Sequence, residues 1–144
     1  MFIRGIKFVL ALALFAIIGW IQIKPAKVII KVFKTKYPRA KFAVWQQLDN
    51  YTWKVSFVLR RQDYIALFDV NGNWLETKTY VAFVSLATNT KELFQTKYKL
   101  EELQKVLFIK KIDKTVYKFQ MDSGKNPYKL LFDTSNNVIK NIAS

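Results

Sequence analysis

The chain has 144 residues, the length of one domain or two small ones, and its 51% hydrophobic and 16% aromatic content is enough to bury a core, which excludes a disordered chain. Lys and Arg number 24 against 10 Asp and Glu, a formal net charge of +14 that favours anionic partners: phospholipid headgroups, acidic proteins or nucleic acid. With no Cys and no His, disulfides, thiol catalysis and zinc–thiolate sites are excluded, and the commonest general base and metal ligand is missing.

Residues 1–23 form the first compositional unit. A short head carrying Arg4 and Lys7 precedes an uncharged, apolar run from Phe8 to Ile23. That order is the pattern of an export signal. The run is short for a bilayer span, yet no clear small-residue cleavage site ends it. A cleaved signal peptide and a retained membrane anchor therefore both stand. Either places the protein outside the cytoplasm, in the periplasm or anchored to the inner membrane and facing it.

A helix is expected over 24–37. Pro25 suits a first turn, Val28, Ile29, Val32, Phe33 and Tyr37 share one stripe, and Pro38 stops it. Four strands are expected at 41–48, 51–59, 64–70 and 73–79, joined at Asp49-Asn50, Arg60–Asp63 and Asn71-Gly72. Joints this short make antiparallel neighbours. Asn71-Gly72 fits a two-residue type I′ turn, which needs positive φ at both positions.

A two-residue turn at each of those dipeptides pairs Val44 with Val55 and Phe68 with Leu75. Alternation then sorts the side chains. Phe42, Val44, Trp53, Val55, Phe57, Tyr64, Ala66, Phe68 and Leu75 fall on a nearly continuous apolar face, assigned to the helix side. Trp45, Lys54, Ser56, Val58, Ile65, Leu67, Asp69, Trp74 and Glu76 fall on the other, where aromatics mix with charges.

After a link at 80–85, a second helix is expected over 86–98 and strands at 103–112, 115–122, 127–133 and 137–142. The later segments echo the earlier ones. Tyr64, Phe68 and Asp69 recur as Tyr128, Phe132 and Asp133; Trp53–Phe57 aligns with Tyr117–Met121, and Phe33–Tyr37 with Phe94–Tyr98. The fold expected from this echo is α+β: a tandem repeat of one helix plus a four-stranded antiparallel meander, with units at 24–80 and 81–144, forming a curved sheet with helices on one face.

The residues Lys36-Tyr37-Pro38, Trp45, Tyr51-x-Trp-x-Val-x-Phe57 and Tyr64-x-Ala-x-Phe-Asp-x-Asn-Gly-x-Trp-x-Glu-Thr77 carry a resemblance to the bacterial PepSY-like family, also described as beta-lactamase-inhibitor-like. It covers about 25–142, closely in the first half and loosely in the second. The resemblance implies an exported bacterial protein whose sheet leaves its concave face open, the face with which the inhibitor that lends the family its name grips a protein.

No residue pattern supports catalysis. No Ser lies in a Gly-x-Ser-x-Gly turn, and the four glycines make no phosphate loop. Asp69-Val-Asn-Gly-Asn73 departs from calcium-loop spacing and reads as a hairpin. No enzyme activity and no cofactor are expected, and nucleic acid is set aside because an export segment removes the chain from it. The expected function is binding of a protein or peptide on the open face. Trp45 and Trp74 are the expected anchors, with Ile65 and Leu67 beside them and Lys54 at the rim. The alternative is a structural, membrane-anchored protein, held through residues 1–23, whose basic surface contacts anionic lipid.

Overall fold

The structure is a computed structural model, and it describes residues 23–142. In chain order the elements are α1 (Lys27–Lys36), β1 (Lys41–Gln47), β2 (Thr52–Leu59), β3 (Gln62–Asp69), β4 (Trp74–Val81), α2 (Thr88–Lys97), β5 (Leu103–Lys111), β6 (Thr115–Asp122), β7 (Pro127–Asp133) and β8 (Val138–Ile142), with single 3-10 turns at Phe83–Ser85 and Leu100–Glu102. The expected export or anchor segment lies, apart from Ile23, outside the described residues. Among the described residues no helix is long and apolar enough to cross a membrane.

The eight strands make one sheet in the order β1 to β8, every neighbouring pair antiparallel. This corrects the expected fold class. The protein is a mostly-β, single eight-stranded sheet with two short helices, and it does not match an α+β tandem repeat of helix-plus-four-strand units. The ladder continues from β4 to β5 through six residue pairs, Glu76↔Lys111 to Val81↔Val106. A break there would create two additional sheet edges with unpaired N–H and C=O groups, and continuous pairing removes both.

Each helix spans ten residues. In α1, Ile29 and Phe33 are one turn apart and both buried, while Lys27, Lys31 and Lys34 face solvent. Pro38 disfavours a helical Tyr37, which leaves the helix at φ −128°. Pro25 is buried two residues ahead of α1 rather than in its first turn. In α2, Thr90 and Phe94 are the buried pair.

The helices cover one face of the sheet, over two hydrophobic clusters. Under α1 lie Trp53, Val55, Phe57, Ala66 and Phe68. Under α2 lie Val106, Phe119, Met121, Leu130 and Phe132. Phe33 meets Phe57 and Phe68 edge-on at centroid distances of 5.1 and 6.2 Å, and Phe94 meets Phe119 at 4.9 Å. Full burial of one such ring contributes about 1.5–3 kcal/mol.

Two turns differ from expectation, and they set which side chains face where. The β1–β2 connection has three residues, not two. Leu48 N–H donates to Thr52 O at 3.0 Å, and Asp49 Oδ1 accepts from Tyr51 N–H at 2.7 Å. Trp45 therefore pairs with Val55, and Val44 with Ser56. A one-residue slip turns a whole strand over, so Phe42 and Val44 leave the helix side for exposed positions.

At Asn71-Gly72 only Gly72 has positive φ, +89°, so the expected type I′ turn is absent. Asp69 O accepts from Gly72 N–H, and the ladder shifts between Leu67↔Glu76 and Phe68↔Trp74. The two-residue turn with both residues left-handed falls instead at Arg60 and Arg61, φ +52° and +63°, between Leu59 and Gln62.

Candidate functional site

The sequence-predicted site separates into two groups. Lys54, Ile65 and Leu67 lie on the helix-free face: Lys54 pairs with Leu67, and Ser56 with Ile65. Trp45 and Trp74 do not, which corrects their expected place as open-face anchors. The inverted β1 turns Trp45 against Phe33, edge-on at 5.3 Å, and beside Phe68. The β3–β4 irregularity puts Trp74 opposite Phe68, against the cluster under α1. Its indole Nε1–H donates to Thr77 Oγ1 at 2.8 Å, and Lys36 Nζ sits 4.0 Å from its ring centroid. Thr77 Oγ1 also shares a hydrogen bond with the Tyr37 hydroxyl, and burial pushes the pKa of that phenol up. Both indoles are thus packing elements of the α1 side.

Following the ladders across the helix-free face gives the surface that remains. Ile65 pairs with Lys78, Lys78 with Ile109, and Ile109 with Val116. Tyr80 pairs with Leu107, Leu107 with Lys118, and Lys118 with Leu131. Apolar side chains therefore cross β3 to β7 in two rows, one interrupted by Lys78 and the other by Lys118. Ile109 and Val116 are only 5% and 2% exposed although neither belongs to a helix-side cluster. Neighbouring side chains must cover them, and lysine stems are suited to this because they lie along apolar surface with the ammonium in water.

Lys54, Lys78, Lys111, Lys118 and Lys129 share this face. Burial, and then the neighbouring charges of Lys129 and Lys78, lower the pKa of Lys118, while Glu76 acts in the opposite direction. The nearby acids are largely committed. Glu76 lies 3.9 Å from Lys78. Asp69 accepts from the N–H groups of Asn71 and Asn73 and from the Asn73 side chain, which holds its carboxyl below the usual range. Asp133 accepts from Ser135 N–H and Oγ, and its pKa is likewise lowered. Those two carboxylates close turns, and the lysines keep a net positive field.

Lys78, Leu107 and Val116 were not legible as part of this surface. Lys78 and Leu107 adjoin the β4–β5 seam, which is distant in sequence. Continuing the alternation of β4 through its pairing with β5 is the signal that finds them.

The helix side holds a second concave region, between the areas covered by α1 and α2. Tyr64, Thr79 and Phe108 are shared by two adjoining cavities of 320 and 290 Å³. The Thr79 hydroxyl there donates to Asp63 O and accepts from Gln62 Nε2. Among the described residues no buried side-chain polar atom lacks a partner, and no group of three or more acidic, His or Cys side chains clusters as metal ligands would.

No family model matches this sequence, and no curated protein matches it. Solved structures do. A DUF2874 family protein from Bacteroides ovatus superposes with a TM-score of 0.72 at 18% identity, over 83% of this chain and 89% of that one. A candidate periplasmic protein from Bacteroides eggerthii gives 0.71 at 17%, over 83% and 90%. A BLIP-like protein from Bacteroides fragilis gives 0.68 at 17%, over 85% and 90%. At these identities the likeness is one of fold alone. It extends to the inhibitor-like half of the sequence resemblance and not to PepSY in particular: this chain has a BLIP-like fold.

Proposed function

We propose that the protein is a non-enzymatic binding module of the cell envelope whose helix-free sheet face docks an acidic protein segment. One observation carries this reading: apolar side chains and lysines interleave on a sheet face that no helix covers, where Asp69 and Asp133 are engaged in closing turns. Apolar contact area among charged groups suits a protein-docking surface. The positive charge steers a negatively charged partner toward it and sets its register. Ile65, Leu67, Ile109 and Leu131 supply the contact area, and Lys54, Lys78, Lys118 and Lys129 the charge. Trp45 and Trp74 act by holding α1 on the sheet. The envelope location is supported by the basic-then-apolar start of the sequence and by the candidate periplasmic protein that shares the fold.

The test is affinity capture from an envelope extract with the full chain and with a variant carrying Lys118→Glu and Lys129→Glu. An acidic polypeptide retained by the parent, released by salt and lost from the folded variant supports the reading. Retention unchanged by charge reversal contradicts it. Binding of anionic lipid vesicles in place of any polypeptide replaces it with the membrane-surface alternative.

A further inference from the structure

Among the described residues β1 has β2 as its only ladder neighbour, which makes it a sheet edge. Along its free side runs a groove of about 900 Å³. One wall is β1 from Ala43 to Gln47, with Leu48 just after it; the other is Ile23, Lys24, Pro25, Ile30 and Lys34, in and before α1. We propose that this groove is a peptide-binding site in which an extended, acidic segment of a partner protein adds to the sheet as a strand beside β1.

The backbone supplies the first argument. Leu48 N–H bonds to Thr52 O, and hydrogen-bonded pairs alternate along an antiparallel ladder. Gln46 and Val44 then bond inward to β2, and the N–H and C=O groups of Ala43, Trp45 and Gln47 point outward. Unpaired donors and acceptors in a row are a template for another strand. A strand laid between a sheet edge and a helix is a recurring mode of peptide recognition, with main-chain bonds giving affinity and alternate side chains giving specificity.

The groove's side chains select the occupant. Ile23 and Ile30 offer apolar surface, and Lys24 and Lys34 stand opposite β1. Among the described residues lining the groove, Asp49 at its end is the only acid, and it already accepts from Tyr51 N–H. That favours a peptide alternating apolar and acidic residues. It disfavours a second copy of this chain, which carries a net charge of +14. The irregularity near Lys41, with Phe42 at φ +57°, confines regular pairing to the part of the edge after it.

The site lies apart from the helix-free face, so it stands or falls separately. The probe is a short synthetic peptide, Thr-Val-Glu-Val-Asp-Ile-Glu-Thr, added to the isotope-labelled full chain. Binding should slow amide exchange at Ala43, Trp45 and Gln47 and leave the inward-bonded Val44 and Gln46 unchanged. Methylating alternate peptide nitrogens removes the ladder donors while keeping every charge, and should abolish binding. Gln47→Pro removes an outward N–H that the fold does not use and should weaken binding roughly tenfold. Lys24→Glu with Lys34→Glu should weaken it more than tenfold, whereas Lys118→Glu should not. The proposal is overturned if the peptide does not bind or the methylated peptide binds equally. Protection spread over β8, or edge protection that rises with protein concentration without peptide, overturns it too; the latter would make a second copy the occupant.

Discussion

The two faces of one sheet divide the work of this molecule. On the helix side, aromatic rings from α1, α2 and the strands interlock, and Phe68, Phe94 and Phe119 are fully buried. On the other side a narrower aliphatic stripe lies among lysines, and Lys118 carries its charge against a depressed pKa. Side chains on the first face stabilise the fold. A crowded cation on the second costs stability in the isolated protein and gains only when an anion meets it. The difference teaches that burial alone does not mark the helix-side core: Val116 is as buried as Phe132 yet lies on the helix-free face.

The sharpest way to break this division is to truncate one residue on each face. Phe68→Ala should destabilise the fold by about 3–5 kcal/mol in denaturant titration, while Ile65→Ala, 37% exposed on the other face, should cost less than about 1 kcal/mol. Equal losses would erase the distinction between faces. Next come two turn substitutions of opposite sign. Gly72→Ala should cost more than about 1 kcal/mol, because Gly72 sits at φ +89° and a Cβ there would lie 3.2 Å from Cγ2 of Val28 in α1. Arg61→Gly should gain roughly 1 kcal/mol, because a left-handed arginine is relieved by glycine; a loss there would mean that the arginine side chain supports the hairpin.

The smallest effect is the most diagnostic of the open face. Lys118→Met should raise stability by less than about 0.5 kcal/mol near neutral pH. The sign follows from the lowered pKa. The folded state disfavours the ammonium, so its penalty is present below the folded pKa and disappears as pH rises from there toward the ordinary lysine value. The gain from Lys118→Met should therefore shrink in alkaline solution, measured as midpoint shifts in urea. A gain that persists at high pH would assign it to packing instead.

Much of the helix-side face was legible. Trp53, Val55, Phe57, Ala66 and Phe68 fall on that face by alternation along their strands, and the structure buries all of them. The second helix was placed within a residue or two of its limits by its Phe94 and Tyr98. The facing of Trp45 and Trp74 was not legible, for one reason in two places. A period of two makes facing depend on an exact residue count through each turn, and the sequence shows turn residues without showing how many the turn consumes. Tyr51 joins the β1–β2 connection and moves Trp45 across the sheet, and the irregularity after Leu67 does the same for Trp74. The echo in sequence assigned each four-stranded meander a helix of equal standing and so an α+β repeat, whereas the structure is mostly β, one eight-stranded antiparallel sheet with two short helices.

The division of faces is tested most directly by site-specific photo-crosslinking in the envelope, with a photoreactive phenylalanine analogue at Ile65 on the helix-free face or at the 79% exposed Val84 beyond the end of β4. The account predicts that Ile65 captures a discrete acidic polypeptide, that Lys118→Glu with Lys129→Glu abolishes the capture, and that Val84 captures nothing comparable. The same products from both positions, or none from Ile65 in the folded protein, would contradict it.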